Sequence, residues 1–107
     1  MDPLSLLIWT AVWAGVSAGV YVIVYFANLT FQIIAGWFQQ FAYLMGAYDV
    51  GFTVRRAMAD GNAVYVQGMF NTSNDKVKQA RVIKASTVDS EVQRFHDHGR
   101  KEVAIYT

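Results

Sequence analysis

The chain has 107 residues, 54% of them hydrophobic, 15% aromatic and 16% charged, with a formal net charge of +1. That aromatic content excludes a disordered chain, and the absence of cysteine excludes a disulfide framework, a thiolate nucleophile and a Cys-based metal site. Charge falls short of the roughly one quarter usual in globular domains and is unevenly placed: residues 3–48 hold no Asp, Glu, Lys, Arg or His, and all 9 Lys and Arg follow them, with every acid except Asp2.

Residues 4–27, LSLLIWTAVWAGVSAGVYVIVYFA, make an apolar run broken only by Ser5, Thr10 and Ser17. A run of roughly eighteen or more reads as a transmembrane helix, and at about 1.5 Å per residue this one reaches across a hydrocarbon core of about 30 Å. The start MDPLS lacks the positive charge of a secretory signal, so cleavage is not expected. Residues 29–47 continue the run, with Gln32, Gln39 and Gln40 as its strongly polar side chains. Two arrangements hold both segments. One is a hairpin turning at Ala27-Asn28-Leu29-Thr30, with Tyr21, Tyr25 and Phe31 at the membrane interface; the other is one long helix from Leu4 to Gly46.

Positions 4, 7, 11, 14, 18, 21, 25, 28, 32, 35, 39, 42 and 46 alternate steps of three and four, the spacing of a helix seam. After Leu7 the seam is small or polar, and Gly15-Val16-Ser17-Ala18-Gly19 beside it is a GxxxG pattern. Helices in lipid associate through small residues and interhelical hydrogen bonds, so Ala11, Gly15, Ala18, Gly19, Gln32 and Gln39 are the expected helix-packing residues. The span has no ionisable side chain, which excludes a proton relay or a gating charge. Arg55 and Arg56, the first basic residues after it, place the C-terminal part on the cytoplasmic side, or inside the particle if the membrane is a virion's.

Residues 49–107 read as a small α+β unit. Ala63 to Phe70 alternates and follows Asp60-Gly61, so Phe52 to Met58 is expected to pair with it as a hairpin. Asn71 to Asp75 is a polar loop, and Val77 to Ala85 has the β-branched content of a strand. Asp89 or Ser90 caps a short helix ending near His98 and Gly99, with Glu91 in its first turn. Glu102 to Tyr106 closes the unit as a last strand.

Chemistry in this part is sparse. His96-Asp97-His98 offers two imidazoles, but residues two apart point to different helix faces, so a charged helix end is expected and not a metal site. Lys76, Lys78 and Lys84 share parity on an extended strand. They are expected to form a solvated face, or a contact for a partner, anionic headgroups or nucleic-acid phosphates. The sequons Asn28-Leu29-Thr30 and Asn71-Thr72-Ser73 read as accidental. No P-loop, GxGxxG, GxSxG or paired-carboxylate arrangement occurs, so no enzymatic activity, catalytic residue, cofactor or metal is expected.

The expected fold is a membrane protein: one or two transmembrane helices (a hairpin or one long helix) over residues 1–48, then a small α+β extramembrane domain over residues 49–107. The expected function is a small integral-membrane structural or accessory subunit. It would oligomerise or dock in a larger membrane assembly, a membrane complex or a membrane-containing virion, against the lipid bilayer, other membrane subunits or copies of itself. Two rivals stand beside this. The plan of apolar helices plus a charged tail is similar to that of phage holins, which implies a small pore-former. Trp9, Trp13 and Trp37 would suit a subunit holding a lipid, quinone or pigment between helices.

Overall fold

The computed structural model describes residues 2–60 and 62–106. Helix α1 (Pro3–Ala18) begins where the Asp2 carboxylate accepts hydrogen bonds from the Ser5 N–H at 3.1 Å and the Ser5 hydroxyl at 3.2 Å, with Pro3 in the first turn, where its missing donor costs nothing. It stops at Gly19, whose φ of 71° is left-handed, and the N–H groups of Gly19 and Val20 close on the carbonyls of Val16 and Gly15. The β-branched and aromatic run that follows becomes strand β1 (Val22–Leu29). Thr30 then caps helix α2 (Phe31–Gln40) by accepting from the Ile33 N–H at 3.2 Å, and a single 3₁₀ turn follows it at Ala42–Leu44.

Strands β2 (Asp49–Ala57), β3 (Ala63–Asn71) and β4 (Lys76–Val88) form an antiparallel meander. The expected hairpin is thus β2–β3; its Asp60-Gly61 turn includes Gly61, which lies outside the described residues. The β3–β4 turn is built from side chains: the Asn71 carbonyl oxygen accepts from the N–H groups of Ser73 and Asn74, and Asn74 accepts from that of Lys76. Helix α3 (Ser90–Phe95), capped by Asp89 with Glu91 in its first turn, leads through a 3₁₀ turn at Asp97–Gly99 to strand β5 (Val103–Tyr106).

The five strands make one mixed sheet in the order β1-β4-β3-β2-β5, with β1 parallel to β4 and the other pairs antiparallel. Each face has its own core. On one, α1 sets Ile8 and Val12 against Phe52, Val54, Val66, Phe70, Val82 and Val103. On the other, α2 and α3 set Ile34 and Val92 against Leu29, Tyr65 and Ile83.

This architecture corrects the membrane expectation. Among the described residues no helix is long and apolar enough to cross a membrane. The run over residues 4–27 is a helix, a glycine stop and a strand, and α1, with 16 residues, reaches only about 24 Å. Neither the transmembrane hairpin nor the long helix forms, and the holin-like plan loses its spanning helices. Arg55 and Arg56 lie within β2, so they orient no spanning segment, and the inference of an integral-membrane protein with a cytoplasmic or virion-internal tail loses its premise. The physical reason lies in β1: its side chains are apolar where they turn to the core, as at Val24 and Phe26, and equally where they are exposed, as at Val22, Ile23 and Tyr25, so no polar alternation sets the strand apart from a membrane helix.

Candidate functional site

Three features stand out from the scaffold. The first is the sheet edge at β1. This strand of eight residues has no charged residue and no proline, and it leaves Val22 66%, Ile23 51% and Tyr25 74% exposed. The opposite edge strand, β5, has only four residues and follows Lys101 and Glu102. Short strands and charges blunt an edge against pairing with another chain; β5 has both devices and β1 has neither.

The second is a cleft of about 500 Å³ on the α1 face of the sheet, lined on one side by Trp13, Val16 and Tyr21 and on the other by Ile23, Val64 and Val82. Strand register explains its rim. Tyr25 pairs with Lys84, Lys84 with Val64, and Val64 with Arg56, so one row crosses four strands with a cation on either side of Val64. The Arg56 guanidinium lies 5.3 Å from the centre of the Trp13 ring and the Lys84 ammonium 6.0 Å from that of Tyr25. Tyr21 folds back over Gly15, where an added Cβ would collide with the phenol ring, and burial raises the Tyr21 pKa.

The third is a pair of buried polar clusters on the α2/α3 face. His96 Nδ1 lies 2.9 Å from the Lys101 carbonyl, which can only accept, so Nδ1 carries the proton and Nε2 is bare. Thr53 Oγ1, 2.7 Å away, therefore donates to Nε2, and Tyr106 donates to Thr53 across 3.0 Å. Burial raises the Tyr106 pKa, which keeps the phenol protonated as that donor. In an open cleft a hydroxyl on a bare imidazole would be a nucleophile and its base. Here Thr53 and His96 are both 0% exposed, so a substrate has no approach, and the trio ties β2 to β5 and to the end of α3. Gln67, also fully buried, donates to the Ile34 carbonyl at 2.7 Å and accepts twice from Arg81, at 3.0 and 2.8 Å. Arg81 is held between the rings of Phe26 and Trp37, and burial lowers its pKa.

The residues singled out by sequence are dispersed. Ala11 is half-buried, Gly15 meets Tyr21, and Gly19 ends α1, while Ala18 lies exposed. Gln32 and Gln39 are exposed on α2. The sheet-facing residues of α1 are Ser5, Ile8 and Val12, one step away from the small-residue seam. A register shift between Met69 and Phe70 breaks the shared parity of the lysines. Lys78 turns to the α2 side, pairing with Asp49 at 2.8 Å and donating to the Leu44 carbonyl, whereas Lys84 borders the cleft on the α1 side and Lys76 is exposed at the strand start. Trp9 and Trp13 stack edge to face on α1, across the sheet from Trp37.

Sequence reasoning passed over Thr53, Gln67, Tyr106 and the buried state of His96. One signal was present: His96 stands four residues after Val92, on the inward stripe of α3. Fold and site together define a small α+β unit, a mixed five-stranded sheet between helices, with an open sheet edge at β1 and an apolar cleft beside α1. No family model, curated protein or solved structure matches the chain.

Proposed function

We propose that the protein is a structural assembly unit that joins a second copy of itself by edge-to-edge pairing of β1. The observation that carries this reading is the uncharged, proline-free and exposed edge of β1. An unpaired row of backbone donors and acceptors with apolar side chains around it is a template for strand addition. A second copy is the occupant that fits best. Two β1 strands meeting about a twofold axis bring no like charges together, and the pairing joins both sheets into one. The role is one of assembly, not catalysis, consistent with the sealed Thr53–His96 pair.

The test is the mass of the purified protein in solution by sedimentation equilibrium. The expected result is a dimer that Val22→Lys together with Ala27→Lys converts to a folded monomer, since both positions are exposed and each lysine is repeated across the axis. A wild-type protein that stays monomeric up to its solubility limit, or a double variant that dimerises as well as the parent, overturns the reading.

A further inference from the structure

The cleft beside α1 is a different kind of surface from the β1 edge. Its volume of about 500 Å³ lies within the roughly 300–1,000 Å³ in which small-molecule sites fall. Its walls are aromatic and aliphatic, and the charged residues lining it are Arg56 and Lys84, with no carboxylate. Among the described residues the one salt bridge is Lys78 with Asp49, so neither cation at the cleft has an acidic partner in the fold. Both are instead turned over aromatic rings at the cleft and its rim, Trp13 and Tyr25.

We infer that this cleft binds a single-chain amphiphile, its anionic head between Arg56 and Lys84 and its hydrocarbon body between Trp13, Tyr21, Ile23 and Val82. The register supplies the spacing. Arg56 and Lys84 sit on β2 and β4 with β3 between them, about 10 Å apart at the backbone, a distance that two long side chains close on one head group. Val64, between them, gives the chain its way in. The apolar body gains by leaving water, and the head meets two cations that have no competing carboxylate. The ligand class follows from this complementarity: an unbranched chain with a carboxylate or similar anionic end, taken up as a monomer. This assignment does not depend on pairing through β1.

The probe is decanoate, titrated calorimetrically into the full chain below its micellar concentration, with decanol and decylammonium as the neutral and cationic counterparts. The expected result is one decanoate per chain, decanol at least roughly tenfold weaker and decylammonium weaker still, because the head is held by charge-assisted contacts. Arg56→Gln with Lys84→Gln, both exposed, should weaken decanoate roughly tenfold or more while leaving decanol and the circular dichroism spectrum unchanged. Equal affinity for decanoate and decanol, or a double variant that binds decanoate like the parent, overturns the assignment. So does protein that ignores monomeric decanoate and sediments only with anionic phospholipid vesicles, which would make the cations a membrane contact. Sedimentation of the Val22→Lys and Ala27→Lys protein separates the two proposals, since neither residue lines this cleft and its decanoate affinity should persist.

Discussion

Burial holds a proton off His96. Desolvation is the largest cause, with the nearby charges of Arg55 and Lys101 in support, and the pKa falls from 6.5 to about 4 against the opposing pull of the Lys101 carbonyl. At neutral pH the ring is uncharged, which is what lets Nε2 accept from Thr53. The unfolded chain takes up this proton near pH 6.5 and the folded chain only near pH 4, so between those values the unfolded state binds more protons. Stability from this residue is therefore complete above about pH 6.5 and is lost progressively as pH falls towards 4, by roughly 3 kcal/mol in all. Urea unfolding should give a free energy about 2 kcal/mol lower at pH 5 than at pH 7.5. His96→Gln, whose amide does not titrate, should flatten that difference; a His96→Gln profile as steep as the parent's would assign it to other groups.

Strand β3 crosses its neighbours at a glycine. Gly68 faces Phe52 on β2 and Ala80 on β4, and an added Cβ would stand 2.5 Å from the Gln79 carbonyl oxygen, 2.7 Å from Phe52 Cζ and 2.9 Å from Ala80 Cβ. The first of these is backbone and cannot swing aside. Gly68→Ala should lower the unfolding free energy by about 1–3 kcal/mol, read from denaturant midpoints. Gly36→Ala is the counterpart: a Cβ there meets nothing within 4 Å, and an alanine inside α2 should raise stability by roughly 0.5–1 kcal/mol. Legibility also divides at the level of elements. Strands β2 to β5 and helix α3 could be read because alternation, polar loops and the Asp89 cap mark their limits. From Pro3 to Gln40 the limits are set by Asp2, Gly19 and Thr30, three small signals within a background of uniform hydropathy. The cleft was not legible, because it draws on α1, β1, β2, β3 and β4 and needs the register to bring Arg56 and Lys84 to either side of one valine. Trp13, Tyr21, Arg56 and Lys84 each carry a signal in the sequence, but for four separate roles, and the lysine face that includes Lys84 is divided by the β4 irregularity.

At the scale of the whole molecule the apolar half and the charged half complete one another. The radius of gyration of 12.9 Å is that of a single compact body of this length. Residues 49–107 contribute four strands and α3, but one sheet face is covered by Ile8 and Val12 of α1 and the other by Ile34 of α2. The support that so small a unit needs is thus supplied from within the same chain. Residues 49–107 expressed alone should show no cooperative unfolding transition and poor amide dispersion by NMR. A cooperative transition in the isolated fragment would mean that the sheet does not require these helices.

The parallel pairing of β1 with β4 also has a consequence in time. Val22 meets Arg81, so the partner of β1 lies about 60 residues downstream, and at roughly 5–20 residues per second it is made about 3–12 s later. Throughout that interval the nascent chain carries an uncharged, strand-forming segment with nothing to pair with, on polysomes where neighbouring copies present the same segment. The yield of native protein should therefore depend on translation speed and on chaperones that shelter the N-terminal third, and slowing synthesis between β1 and β4 should lower it.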